Sequence, residues 1–148
     1  MVDPVDAPLD SRGLASRSEP GGSEPLTWII GAGGLLGSSL AEGLRLRGRE
    51  RFAPGAAWAW DQPELLVNQL RQASTRFRAQ LRPGQPWEIH WTAGRAAMGS
   101  PAEALEADRR GFHALLECLK GDERLRNHRG LLVLASSAGG SMPAAPPA

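Results

Sequence analysis

A chain of 148 residues, 41% apolar and 22% charged, can bury one real core and has an ordinary soluble balance. A net charge of +1 supplies no global field for nucleic acid or anionic membrane, and a lone cysteine, Cys118, excludes a disulfide framework and a cysteine-based metal site. Tyrosine is absent and Lys120 is the only lysine among the 17 Lys and Arg residues, so no mechanism needing a Tyr and Lys pair is open to this chain by itself.

Residues 1–25 mix Pro, Gly, Ser, Asp and Glu with isolated apolar residues, too aperiodic to offset the entropy of ordering them, and are expected to form a disordered tail. Asp3, Asp6 and Asp10 stand where a signal peptide would place basic residues and an apolar core. No stretch approaches the roughly 18 apolar residues of a membrane span, so a cytoplasmic protein without membrane partners is expected. The β-favouring run LTWII, Leu26–Ile30, predicts a first strand, a glycine turn follows, and Leu36, Leu40 and Leu44 recur at helical spacing. The basic run over 45–51 reads as the solvated end of that helix, with a phosphate clamp as the alternative.

Pro54 and Gly55 divide the next stretch into two short strands, 51–53 and 56–60. Asp61 as N-cap, three residues before Glu64, opens a helix with the stripe Leu66, Leu70, Ala73, Phe77 and Leu81, ending before Pro83 and Gly84. WEIHWTAG, 87–94, reads as a strand covered on both faces. Ser100 as N-cap, with Pro101 at the first helical position and Glu103 after it, opens a helix whose stripe is Leu105, Phe112, Leu115, Leu116 and Leu119 and which ends near Gly121. GLLVLASSAGG, 130–140, suits a central parallel strand that delivers polar groups at its carboxyl end; 141–148 is expected to be a second disordered tail. His90, His113 and His128 share no metal-ligand spacing, and His128 is expected in an exposed loop.

This alternation predicts an α/β fold over 26–140: a Rossmann-type parallel sheet of order 3-2-1-4-5 with helices on both faces, incomplete at its C-terminal side. The glycines Gly31, Gly34 and Gly37, with Gly33 as an extra, sit where the first strand becomes the first helix. A dinucleotide-binding turn needs bare backbone there for its positive angles, for a pyrophosphate to reach the amides and for close helix packing. A P-loop would need a lysine after the last glycine, and Gly37 is followed by Ser38 and Ser39. A tight turn that binds nothing is the other reading.

From Leu26 to about Gly140 the chain resembles the extended short-chain dehydrogenase/reductases, the NAD-dependent epimerase/dehydratase group. GAGGLLG is similar to their cofactor turn, WTAG (91–94) to the segment after their fourth strand, and LASSAGG (134–140) to the strand-five segment that carries their catalytic serine. The resemblance implies an NAD or NADP cofactor held by Gly31, Gly34, Leu35, Leu36, Gly37, Thr92, Ala93 and Gly94, with Ser137 as catalytic serine and Ser136 beside it. Asp61 is implied at the adenine, though capping already explains it. Glu50 and Arg51 lie side by side about twenty positions past the turn, where an acid serves the ribose of NAD and an arginine the extra phosphate of NADP; register decides between them. Asp108 falls on the apolar stripe, with Gly111 three residues on, and is either a structural hydrogen-bonding residue or solvated by a small helix rotation.

The family's Tyr-x-x-x-Lys pair lies on the helix after strand five, beyond Ala148 in this sequence. The chain is therefore expected to be the NAD(P)-binding N-terminal portion of such an enzyme, truncated before its proton-transfer pair. The alternatives are a dinucleotide sensor without turnover and a remnant without ligand. An apolar strand five on an open edge would also be a route to homo-oligomers.

Overall fold

The computed structural model describes residues 23–94 and 99–135. The elements run β1 Leu26–Ile30, α1 Leu35–Leu46, β2 Arg51–Phe52, α2 Pro63–Gln80, β3 Trp87–Trp91, α3 Ala102–Lys120, α4 Glu123–Asn127 and β4 Gly130–Leu134. The four strands form one all-parallel sheet in the order β2-β1-β3-β4. Leu26, Trp28 and Ile30 lie beside Trp87, Ile89 and Trp91, which lie beside Gly130, Leu132 and Leu134, so one face of the sheet carries the large apolar side chains. Against it pack Leu66, Leu70, Ala73 and Phe77 of α2, Leu115 of α3 and Leu125 of α4. Thr27 and Ile29 alternate to the other side. There α1 contacts β1, and its buried Leu44 lies outside the main cluster.

The five-strand order expected from the sequence is corrected, because 56–60 does not pair as a strand. Pro54 removes a ladder donor and Gly55 turns the chain at φ +80. Gln69 of α2 then takes the backbone groups an edge strand would have used: its Oε1 accepts from the Ala59 amide at 2.8 Å and its Nε2 donates to the Ala57 carbonyl at 2.9 Å. Both helix starts also move by one residue. Gln62 precedes α2 and Pro101 precedes α3, neither with a side-chain cap bond, so neither Asp61 nor Ser100 is the N-cap.

Two stripe positions face solvent, Leu36 at 59% and Leu105 at 55% exposure, since Gly37 and Gly111 take the close contacts on their helices. A Cβ at Gly111 would press on Leu66 and Trp91 at 3.3 and 3.4 Å, which explains the glycine at the meeting of α2, α3 and β3. β3 is covered on one face by Ile89 and Trp91, while Glu88 and His90 are half-buried on the other, where Glu88 meets Arg49 at 3.3 Å and Thr27 at 3.4 Å. Among the described residues β4 is an edge strand and not a central one, with Leu131 and Leu134 half exposed.

Helix α4 has no counterpart in the periodicity. Its N-cap is Asp122, whose Oδ1 accepts from the amides of Arg124 and Leu125 at 2.9 and 3.2 Å and whose Oδ2 pairs with Arg78 of α2. This turn also orders His128, which is half-buried and donates from Nδ1 to the Gln85 carbonyl at 2.8 Å, where an exposed loop was expected. Burial alone would raise the Asp122 carboxyl. The Arg78 guanidinium and the two amides outweigh it and hold the group below its ordinary 3.8. The shift is downward, so the carboxylate contributes stability above that ordinary value and loses it as pH falls through the lower folded value. Asp122→Asn should therefore flatten part of the acid limb of the urea midpoint against pH and lower stability at neutral pH by about 1 kcal/mol. An acid limb unchanged by the substitution would show that the pair carries no coupling.

No helix among the described residues is long and apolar enough to cross a membrane, and no group of three or more potential metal ligands occurs among them.

Candidate functional site

The carboxyl end of β1 passes into α1 through a turn made entirely of small residues up to Leu35. Gly31 takes φ +96, and a Cβ there would meet the Ala93 amide nitrogen at 2.6 Å. The Gly34 amide donates back to the Gly31 carbonyl at 3.0 Å, and Gly34 is the N-cap of α1 in extended conformation, without a side-chain cap bond. A Cβ at Gly37 would lie 2.1 Å from the Gly31 oxygen and 2.7 Å from Thr92 Oγ1. These two glycines thus have packing reasons.

Gly33 and Gly34 do not. A Cβ at Gly33 would meet nothing within 4 Å, and one at Gly34 only the Gly31 oxygen at 3.4 Å, an ordinary contact. Both border an open cavity of about 410 Å³ walled by Ile29, Gly31, Arg51, Phe52, Pro54, Trp58 and Trp60. The first turn of α1 has no acidic residue. The amides of Leu35, Leu36 and Gly37 open the helix, where an α-helix has no intrahelical acceptors for its first donors and carries the positive end of its dipole.

A smaller cavity of about 150 Å³ shares Gly31, Gly34 and Trp60 with the first and adds Thr92, Ala93 and Gly94. The Thr92 hydroxyl donates to the Ile30 carbonyl at 3.0 Å, which ties the end of β3 to the end of β1. β1 crosses over to β2 on one side and pairs with β3 on the other, so the smaller cavity opens at the point where strand order reverses, and the larger adjoins it on the β2 side.

The structure brings Gly31, Gly33, Gly34, Arg51 and the 92–94 segment to two adjoining cavities; Leu35 and Leu36 are exposed and Gly37 is buried, and none of these three is on either wall. Asp61 is exposed and is not on the wall of either cavity. Ser136 and Ser137 lie outside the described residues. Asp108 is half-buried, with Oδ2 3.7 Å from where a Gly94 Cβ would sit, which places it beside the segment that follows β3. The basic run over 45–51 divides. Arg45 is paired with Glu42 at 2.7 Å, Arg49 lies 2.9 Å from Glu24, and Arg51 reaches the cavity. The Arg45 hydrogen bond, with the charge of Arg51 adding to it, holds the exposed Glu42 carboxyl below its ordinary value.

Sequence reasoning did not find Trp58 and Trp60 as walls of the site, because it placed them in a strand. Comparison of the chain with known protein-family models, with curated proteins and with solved structures gives no match.

Proposed function

We propose that this chain is a Rossmann-type dinucleotide-binding unit that holds NAD or NADP with the pyrophosphate on the amides at the mouth of α1. The observation that carries the reading is the bare backbone at Gly33 and Gly34, which no packing contact requires and which borders the cavity. Glycine there leaves room for close approach of an anion to peptide N–H groups. The switch-point position of the smaller cavity and the resemblance to the extended short-chain dehydrogenase/reductases support the same ligand.

The role is binding, as the cofactor-holding part of an epimerase-, dehydratase- or reductase-like protein. These residues offer no tyrosine, and Lys120, the only lysine, sits in the last turn of α3 beside Glu117 at 3.5 Å. That turn leads into the amino end of β4, away from the carboxyl ends where the cavities open.

In a thermal or urea titration, NAD(H) or NADP(H) at 100 times its dissociation constant should stabilise the chain by about 2.7 kcal/mol. Gly34→Val should leave the unliganded unfolding midpoint within about 0.5 kcal/mol, because the position is extended and uncrowded. It should also abolish the ligand-induced shift. A folded wild type that no nicotinamide dinucleotide stabilises, or a Gly34→Val protein that binds as tightly as wild type, would sink the proposal.

A further inference from the structure

We infer that the cavity selects an adenosine bearing a phosphate on its ribose 2′-oxygen, so that the chain takes NADP(H) in preference to NAD(H). The inference rests on the dinucleotide reading and deepens it. Three features of the wall carry it.

The first is where the two side-by-side residues at the start of β2 send their side chains. Thr27 pairs with Arg51, which puts Arg51 on the α1 side of the sheet and on the cavity wall with Gly33 and Gly34. Glu50 is held elsewhere: its Oε2 accepts from Arg82 at 2.9 Å and from Gln85 at 3.2 Å. Those contacts direct Glu50 toward Arg82 and Gln85, and it is not on the cavity wall, so no carboxylate from this pair faces the ribose position.

The second is charge. Among the described residues the cavity wall carries Arg51 and no carboxylate. Glu42, the nearest acid on α1 that feels Arg51, is itself hydrogen-bonded by Arg45 at 2.8 and 2.7 Å. Among the described residues no carboxylate pairs with Arg51. A guanidinium on the wall suits a phosphate through short, charge-assisted bonds, and an acid on the wall would have repelled it.

The third is aromatic. Trp58 is half-buried on the same wall, stacked on Trp28 at 6.3 Å and 21°, and next to Trp60 at 6.0 Å. Backed by a fixed ring, the Trp58 indole offers a flat surface on which a purine can stack. Gln69 fixes the loop that carries it. Base and ribose phosphate are then read from opposite sides, by Trp58 and by Arg51.

Binding is read by quenching of intrinsic tryptophan fluorescence and by calorimetry, with NADP⁺, NAD⁺, adenosine 2′,5′-bisphosphate, adenosine 3′,5′-bisphosphate and 5′-AMP. NADP⁺ should bind about tenfold or more tighter than NAD⁺, and the 2′,5′-bisphosphate tighter than both the 3′,5′-isomer and 5′-AMP by a similar factor. Arg51 is exposed, so Arg51→Gln should fold normally; it should lower NADP⁺ affinity about tenfold more than NAD⁺ affinity, with Arg51→Lys restoring part of the difference. Equal affinity for NAD⁺ and NADP⁺ would overturn the selection, as would equal losses for both on Arg51→Gln or a preference for the 3′,5′-isomer, while leaving dinucleotide binding intact. Failure of every adenosine ligand to bind would instead remove the dinucleotide reading beneath it.

Discussion

Gly37→Ala should lower the stability of the chain by about 3 kcal/mol or more. The added Cβ would sit 2.1 Å from the Gly31 carbonyl oxygen and 2.7 Å from Thr92 Oγ1. Neither neighbour is the free end of a flexible side chain. The carbonyl belongs to the turn that also receives the Gly34 amide, and Thr92 Oγ1 is committed to the Ile30 carbonyl. Relief therefore requires α1 to lift away from β1, and overpacking of this kind, against backbone, costs about 3 kcal/mol or more. Small domains hold roughly 5–15 kcal/mol in total. Far-UV circular dichroism and urea unfolding of the purified variant check the expectation, and a wild-type midpoint would mean that α1 does not approach β1 this closely. The contrast with Gly34→Val is the useful part. Of two glycines three residues apart in one motif, one is required by the fold and the other by the proposed ligand, and only the second should bind less while folding as well.

Much of the fold was legible because its elements are long enough for their periods to show. The stripe from Leu66 to Phe77 is buried as its spacing predicts, and β1 and β3 are apolar where the alternation puts them on the covered face. The failures have local causes. WAW at 58–60 has strand-like composition, yet its conformation is decided by Gln69, a residue of the following helix, whose amide replaces ladder partners. No local pattern contains that information. α4 has only five residues, too few for a period, and Asp122 with its adjacent acid was its one available signal. Leu36 and Leu105 were placed inside by spacing alone, and glycines on the same helices turned the contact faces away from them.

The candidate site divides in the same way. The glycine turn could be read from sequence, since bare backbone at a strand-to-helix junction has few uses. The choice between Glu50 and Arg51 could not, because a one-residue change of register exchanges the two faces. Pairing of Thr27 with Arg51 puts Arg51 on the cavity wall, and the Arg82 and Gln85 contacts hold Glu50 away from it. The tryptophan wall was hidden by the same error that placed 56–60 in the sheet.

Phe77→Ala should have the second large effect, and it should reach the site from the far side of the core. Phe77 is fully buried and its ring contacts Trp28 and Phe52, each at 5.4 Å between centroids. From Trp28 the ring contacts continue through Trp58 and Trp60 to Trp91 and Phe112. Removing a buried phenyl costs about 3–5 kcal/mol, through lost transfer energy and the cavity left behind. The urea midpoint should fall accordingly, and Phe77→Leu, which keeps most of the volume, should lose less. In the Leu variant, which is expected to remain folded, relaxation of Trp28 and Phe52 removes backing from Trp58. Near-UV circular dichroism should weaken and nucleotide affinity should drop without any change at the glycine turn. If Phe77→Leu preserved the near-UV spectrum yet bound nucleotide poorly, Phe77 would be acting on the site by some route other than this chain of rings. If Phe77→Ala cost less than about 1 kcal/mol, the packing of α2 on β1 and β2 would itself be wrong, and with it the wall on which the proposed adenosine site depends.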